Sequence, residues 1–172
     1  MTLRCYTPSK KDLVLLKTLL AYQYGIKAAE ALDVFNIEDL LICISSATGR
    51  IRTLKMSDGT ILFTLRASDY MILPHLVFAQ VLKEFLPFPK YRVIIVNEMV
   101  EDVLEGWTIF SRHVLNADEE IRAGDEVLIV TEDDELIAVG RALIGYDEII
   151  TADYGAAITI RDKVIKHGKT RI

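Results

Sequence analysis

Apolar positions change their period several times along the chain, and each change marks an element. Leu13, Leu16, Leu19, Leu20 and Gln23 fall at helical spacing, with Lys10, Lys11 and Lys17 left for the opposite face. Ser9 and Asp12 stand as a capping box, a hydroxyl and a carboxylate three residues apart that satisfy free amides of a first turn, so a helix is predicted to begin there. Gly25 costs about 1 kcal/mol relative to alanine inside a helix. It predicts a break or a close packing contact, after which residues 26–32 resume the helix. Three strand-like runs come next, at 40–45, 51–56 and 61–66, separated by Thr48-Gly49 and Asp58-Gly59. These predict a meander, since Asp-Gly supplies a positive φ at little cost. Pro74 suits the first turn of a second helix over 75–86, whose Leu76, Val77, Ala79, Val81, Leu82 and Phe85 cover a broad apolar face. Pro87 and Pro89 end that helix and make a short, stiff linker.

Past the prolines the pattern becomes one of short strands. Residues 91–97 read as a buried strand rich in β-branched side chains, and 98–104 as a short helix closed by Gly106. Further strands are predicted at 108–110, 126–131, 135–144 and 156–161, with Gly124-Asp125 as a turn and Gly140 marking a bulge or the close approach of another backbone. The fold class is therefore α+β: an N-terminal α+β module over 1–88, a mixed β-barrel over 89–163, and a basic tail over 164–172 that lacks apolar periodicity.

Composition bounds the picture without changing it. A chain of 172 residues that is 51% apolar can bury a real core and has room for two small domains. Its apolar runs stop well short of the roughly 20 residues needed to cross a bilayer, so no membrane partner is expected. No leader pattern is seen, and Cys5 and Cys43 have no metal or redox spacing, which together predict a reducing, cytoplasmic setting.

Charge changes the picture more. The net −5 argues against a generic nucleic-acid binder, because phosphate binding needs local positive potential. Its distribution is uneven: residues 1–92 hold 12 Lys/Arg against 8 Asp/Glu, residues 93–156 hold 3 against 16, and residues 157–172 hold 5 against 1, giving +4, −13 and +4. Any RNA surface must be built from the flanks and a few cations of the middle, with the acids turned away.

Several chemistries lack their residues. There is no phosphate-cradling Gly-rich loop followed by Lys, and no dinucleotide fingerprint after a strand. His75, His113 and His167 are far apart and form no ligand pattern with the cysteines, so no metal and no cofactor are expected. Ser111 beside Arg112 and His113 invites a nucleophile reading, but neighbours in sequence do not place a base on a hydroxyl. The acidic run 132–135 lacks the alternating ligands and turn glycine of a calcium loop and reads as a solvated turn. Trp107, the only tryptophan, is either a barrel residue, the preferred reading, or a platform for stacking RNA bases.

In order along 106–161 stand Gly106, the run 110–114, the Gly124-Asp125 turn, the strand at 126–131, Gly140, and Gly155 before a last strand. This order resembles a PUA domain, a small RNA-binding barrel. The resemblance extends further: YQYG from Tyr22, TGRIR from Thr48, LRASD from Leu65, PFP from Pro87, RHVLNADEEIRAGDEVLIV from Arg112 and AVGRALI from Ala138 are similar to the C-terminal portion of the archaeosine tRNA-guanine transglycosylase family, archaeal tRNA-modifying enzymes. The related archaeosine synthases share such a tail. The resemblance implies an RNA-holding half, with the PUA part near the tRNA acceptor stem. Base exchange in that family belongs to a catalytic barrel and its aspartates, which a chain of this length cannot include, so no catalytic residue carries over and no enzyme activity is expected. A separately encoded transglycosylase or synthase subunit is one implied partner; a ribosome-associated translation factor of the PUA type is the alternative.

The expected RNA contacts are Arg50, Arg52, Lys55, Lys90, Arg92, Gly106, Arg112 and His113. Arg50, Arg52 and Leu54 would share one strand face, with Lys55 beside the same hairpin. Lys90 and Arg92 would extend the strip, while Arg112 and His113 fall beside the segment that lines the RNA face in PUA domains. A guanidinium can take phosphate bidentately, where lysine gives a point charge. Arg66 and Asp69 read as a mutual pair.

Overall fold

A computed structural model describes residues 2–165. Of the expected tail, residues 166–172, and with them His167, lie outside this range. The chain divides into two compact units, Met1–Pro87 and the remainder from Phe88 onward.

The first unit is a five-stranded antiparallel meander in sequential order, β1 (Leu3–Tyr6), β2 (Leu40–Ser45), β3 (Ile51–Met56), β4 (Ile61–Leu65) and β5 (Ile72–Pro74). Helix α1 (Lys10–Tyr24) starts as expected: Ser9 Oγ accepts from the Asp12 amide at 3.2 Å, and the Asp12 carboxylate accepts from the Ser9 amide at 2.9 Å. Gly25, at φ +99, ends it in a conformation denied to other residues. The chain then forms a 3₁₀ helix, Ile26–Val34, rather than a resumed α-helix. Leu16, Leu20 and Tyr24 of α1 and Phe78, Ala79 and Leu82 of α2 (Leu76–Glu84) are buried along with Ile42, Leu54 and Phe63 of the sheet, and the Phe63 and Phe78 rings meet edge-on at 4.9 Å. Burying each of the leucine, isoleucine and phenylalanine side chains among them is worth about 1.5–3 kcal/mol.

Two short edge strands had no signal in the sequence. β1 is exposed at all four positions and so shows no inward-facing residue. β5 takes Pro74 out of the helix in which it was expected, and α2 begins at Leu76 with His75 as its N-cap. An edge strand tolerates proline because its outward N–H needs no partner. The Gln23 amide bridges helix and strand, donating to the Ile72 carbonyl at 2.9 Å and accepting from the Ile72 amide at 2.8 Å. Cys5 and Cys43 are directly paired across β1 and β2 and form a disulfide. Their lack of metal or redox spacing thus lends no support to a reducing setting, because the pairing is made across two strands.

The second unit is a mixed sheet of six strands in the order β7-β11-β10-β9-β6-β8. The strands are β6 (Arg92–Ile95), β7 (Thr108–Phe110), β8 (Val114–Ala117), β9 (Glu126–Val130), β10 (Leu136–Ala142) and β11 (Ala156–Lys163), with β6 and β9 parallel and the other pairs antiparallel. Every residue of β9 is buried, which is why that strand reads as a nearly continuous apolar run. Helices α3 (Val100–Glu105) and α4 (Tyr146–Thr151) contribute Val103 and Ile149 to a core with Val93, Ile109, Val127 and Ile158. Gly140 sits at a register shift between β10 and β11, where a Cβ would lie 2.3 Å from the Thr159 carbonyl oxygen. The expected close backbone approach is therefore real.

Candidate nucleic-acid interface

In the first unit, β3 carries one residue more than β2 between the pairs Cys43↔Thr53 and Ile44↔Ile51, and that extra residue is Arg52. Such a bulge resets the alternation of side chains. Leu54 accordingly packs fully buried in the core, while Arg52 lines an open groove of about 450 Å³ with Leu3, Thr53, Thr64, Arg66 and Leu73. The expectation that Arg50, Arg52 and Leu54 share one face is corrected by this shift. Arg50 lies on the exposed turn before β3, donates to the Ala67 carbonyl at 3.3 Å and stands 6.0 Å from the centre of the Tyr70 ring. Lys55 is half-buried on β3, opposite Leu41 of β2 and Ile61 of β4. Neither Arg52 nor Lys55 has an ion pair among the described residues. Arg66 does pair with Asp69, at 2.6 Å, and its hydrogen bonds hold the Asp69 carboxyl down to about 2.

In the second unit, the cations near β6 are spent on the acids of the same segment. Lys90 pairs with Glu120 and lies 4.0 Å from the buried Asp118. Arg92 is 3% exposed; its Nε donates to Asp134 at 2.7 Å and its Nη1 to the Lys90 carbonyl at 3.1 Å. A guanidinium so enclosed offers no surface to a phosphate, which removes Arg92 from the expected strip. The turn at 132–135 is correspondingly more than solvated charge, since Asp134 holds Arg92 and Glu132 accepts from the Asn97 amide at 2.9 Å. Arg161 is bonded to Glu126, itself 2% exposed. Burying and pairing acids in this way turns part of the −13 segment inward.

The outward-facing groups gather around β7. Gly106 caps α3, its amide donating to the Asp102 carbonyl at 3.0 Å, and its φ of −89 lies in ordinary extended space. Arg112 is exposed, with its guanidinium 5.6 Å from the centre of the Phe110 ring. His113 is instead buried, and the Phe110 amide donates to its Nδ1 at 3.3 Å. Burial, and then the charge of Arg112, push its imidazole below the usual 6.5. It is a neutral internal anchor at neutral pH, which corrects its expected place on the RNA face. Trp107 is 57% exposed, so of the barrel positions expected for it the core is excluded and the rim remains. Sequence reasoning missed Lys163, whose ammonium lies 4.1 Å from the centre of the Trp107 ring and donates to the Gly106 carbonyl at 2.5 Å. No local motif joins residues so far apart in the chain; only the β7–β11 pairing does.

Comparison with known proteins finds a match over each unit. Residues 91–164 match the PUA domain model, and residues 15–89 match the patch-forming domain C2 of tRNA-guanine transglycosylase. The second unit carries a PUA domain, over residues 91–164. It is 40% identical over 154 residues to the tRNA-guanine(15) transglycosylase of Methanococcus aeolicus, a match covering 87% of this chain and 23% of that protein. The chain thus spans about a quarter of the length of the curated relatives it matches, and the match falls on their C-terminal portion. In structure it resembles a hypothetical protein from Pyrococcus horikoshii (TM-score 0.67, 21% identity, 93% and 94% of the two chains) and a conserved PUA domain protein from Thermoplasma acidophilum (TM-score 0.62, 18% identity, 93% of each). At these identities the likeness concerns the fold. No helix among the described residues is long and apolar enough to cross a membrane.

Proposed function

We propose that this PUA-domain protein binds structured RNA without itself catalysing a reaction, and that the RNA is tRNA, held near its acceptor region for a base-modifying enzyme. The observation that carries this is the similarity to the C-terminal portion of tRNA-guanine(15) transglycosylase, over 87% of the chain, joined to the exposure of Arg112 just past β7 in the PUA domain. Arg52, Lys55 and Arg50 on the first unit supply further phosphate contacts. Helical RNA is met chiefly through its shape, phosphates and 2′-hydroxyls, so sequence preference is weak. The catalytic subunit, a transglycosylase-like or synthase-like barrel, is a separate partner.

Crosslinking the protein to cellular RNA and sequencing what is attached tests the proposal. Enrichment of tRNA, with a barrel subunit in the same pull-down, is the expected result. Ribosomal RNA and ribosomal subunits in place of both would favour a translation factor instead. A modified nucleoside formed by the purified protein alone, seen by mass spectrometry of tRNA incubated with candidate bases, would overturn the non-catalytic assignment.

A further inference from the structure

We propose that the open groove of the first unit is a binding site for a small organic carboxylate, one negative charge on a short apolar body, held by Arg52 with the Thr53 and Thr64 hydroxyls. The site goes beyond RNA binding and does not depend on it, although the two share Arg52.

Strand register places the groove. Cys5, Cys43, Thr53, Thr64 and Leu73 stand opposite one another in succession from β1 to β5, so their side chains share one face of the sheet. The neighbouring row, Ile42, Leu54 and Phe63, is fully buried and reaches α2 through the contact of Phe63 with Phe78. The threonine row therefore points away from the helices. Leu3, two positions before Cys5, lies on that same face and lines the groove. β1 is exposed at every position, so little apolar burial holds it, and the Cys5–Cys43 disulfide fixes this wall of the groove in place. At about 450 Å³ the space falls within the roughly 300–1,000 Å³ usual for small-ligand sites.

Charge selects the ligand. The ionisable residues lining the groove are Arg52 and Arg66. Arg66 is already matched by Asp69, at 2.6 Å, whereas Arg52 has no ion pair among the described residues. One positive charge is left to answer, and Asp69 opposes a second negative charge on whatever enters. A carboxylate satisfies this count, since its two oxygens match the guanidinium fork and can accept from threonine hydroxyls as well. Leu3, Ala67 and Leu73 supply apolar wall for a carbon body. A phosphate monoester carries more charge than one guanidinium balances, and an RNA strand brings a further charge with every neighbouring phosphate, so the interior of the groove favours the carboxylate.

N-acetyl-leucine, a carboxylate on a branched apolar body, is titrated into the intact, oxidised chain without RNA, and the backbone amide shifts are followed by NMR. Shifts centred on Leu3, Arg52, Thr53 and Thr64 are expected, saturating with a dissociation constant on the order of 1 mM, the usual yield for a ligand of this size. N-acetyl-leucinamide, which has the body without the charge, and acetate, which has the charge without the body, should each bind about tenfold more weakly or worse. Arg52→Gln should abolish the shifts, its own amide spectrum showing that the fold is kept, and Arg52→Lys, which keeps the charge but not the fork, should restore them in part. Equal binding of the amide would overturn the role of Arg52, and tighter binding of inorganic phosphate would overturn the carboxylate in favour of a phosphate site. No saturable shift with any probe would overturn the groove as a ligand site. If Arg52→Gln still lowered the salt dependence of RNA binding in that case, the RNA reading would stand while this one fell.

Discussion

A methyl group built onto Gly140 would lie 2.3 Å from the carbonyl oxygen of Thr159, a distance that real Cβ atoms do not keep, and a tight 3.1 Å from Ile160 Cα. The obstacle is one strand of the sheet rather than a flexible side chain, so it cannot step aside. Gly140→Ala is therefore expected to destabilise the PUA domain by about 2–3 kcal/mol, read by urea unfolding. Gly106 supplies the contrast, since its nearest neighbour would be the Asp102 carbonyl at 3.5 Å, an ordinary contact, and its φ is negative. Gly106→Ala should leave stability within about 0.5 kcal/mol, and a loss of RNA affinity without a loss of stability would mark it as a point of close backbone approach. His113 gives a pH dependence. Its imidazole is depressed below 6.5, so between the folded value and 6.5 the unfolded chain takes up a proton that the folded chain does not, and stability falls as pH drops through that window. Comparing unfolding at pH 7.5 and 5.5 should show a slope that His113→Gln reduces; an unchanged slope would mean that the ring accepts a proton without cost.

The elements divide into those that the chain announces locally and those that tertiary pairing creates. The capping box at Ser9, the turns at Gly49 and Gly59 with φ of +66 and +95, the mostly buried apolar strands β2 and β9, and β3 between its two turns all carry their cause within a few residues, and each was legible in the sequence. β1, β5 and β8 run three or four residues, and β1 and β8 are mostly exposed or partly so, which leaves no period to read. The site was legible to the same extent. Arg52 and Arg112 were singled out by residue type, but the bulge at Arg52 and the burial of Arg92 and His113 depend on strand pairing that no local pattern reports. The disulfide belongs here as well: with β1 unseen, nothing set Cys5 opposite Cys43. It closes a segment of 38 residues, for which the chain-entropy relation allows about 3–4 kcal/mol of stabilisation. Reduction, or Cys5→Ala with Cys43→Ala, should lower the unfolding free energy by up to that amount. Two titratable thiols in the native protein and an unfolding curve indifferent to reductant would refute the bond.

At the scale of the molecule, an acidic chain must bind a polyanion through few cations, and those cations lie on two separate units. Arg52 belongs to the first and Arg112 to the second. Each phosphate contact on a duplex contributes about −0.9 to the slope of log affinity against log salt, so removing one true contact should reduce the slope by about one. Arg52→Gln and Arg112→Gln are each expected to do so, and the double substitution to reduce it by about two, provided that one RNA engages both units at once. Lys90→Gln is the control, because Glu120 already neutralises that ammonium and its loss should leave the slope nearly unchanged. Affinity measured by anisotropy between about 50 and 200 mM salt separates the possibilities. If only Arg112→Gln changes the slope, the PUA domain alone meets RNA and the groove beside Arg52 is left for some other ligand. If neither changes it, the binding is not built on these guanidiniums, since a phosphate contact cannot be removed without releasing fewer counterions.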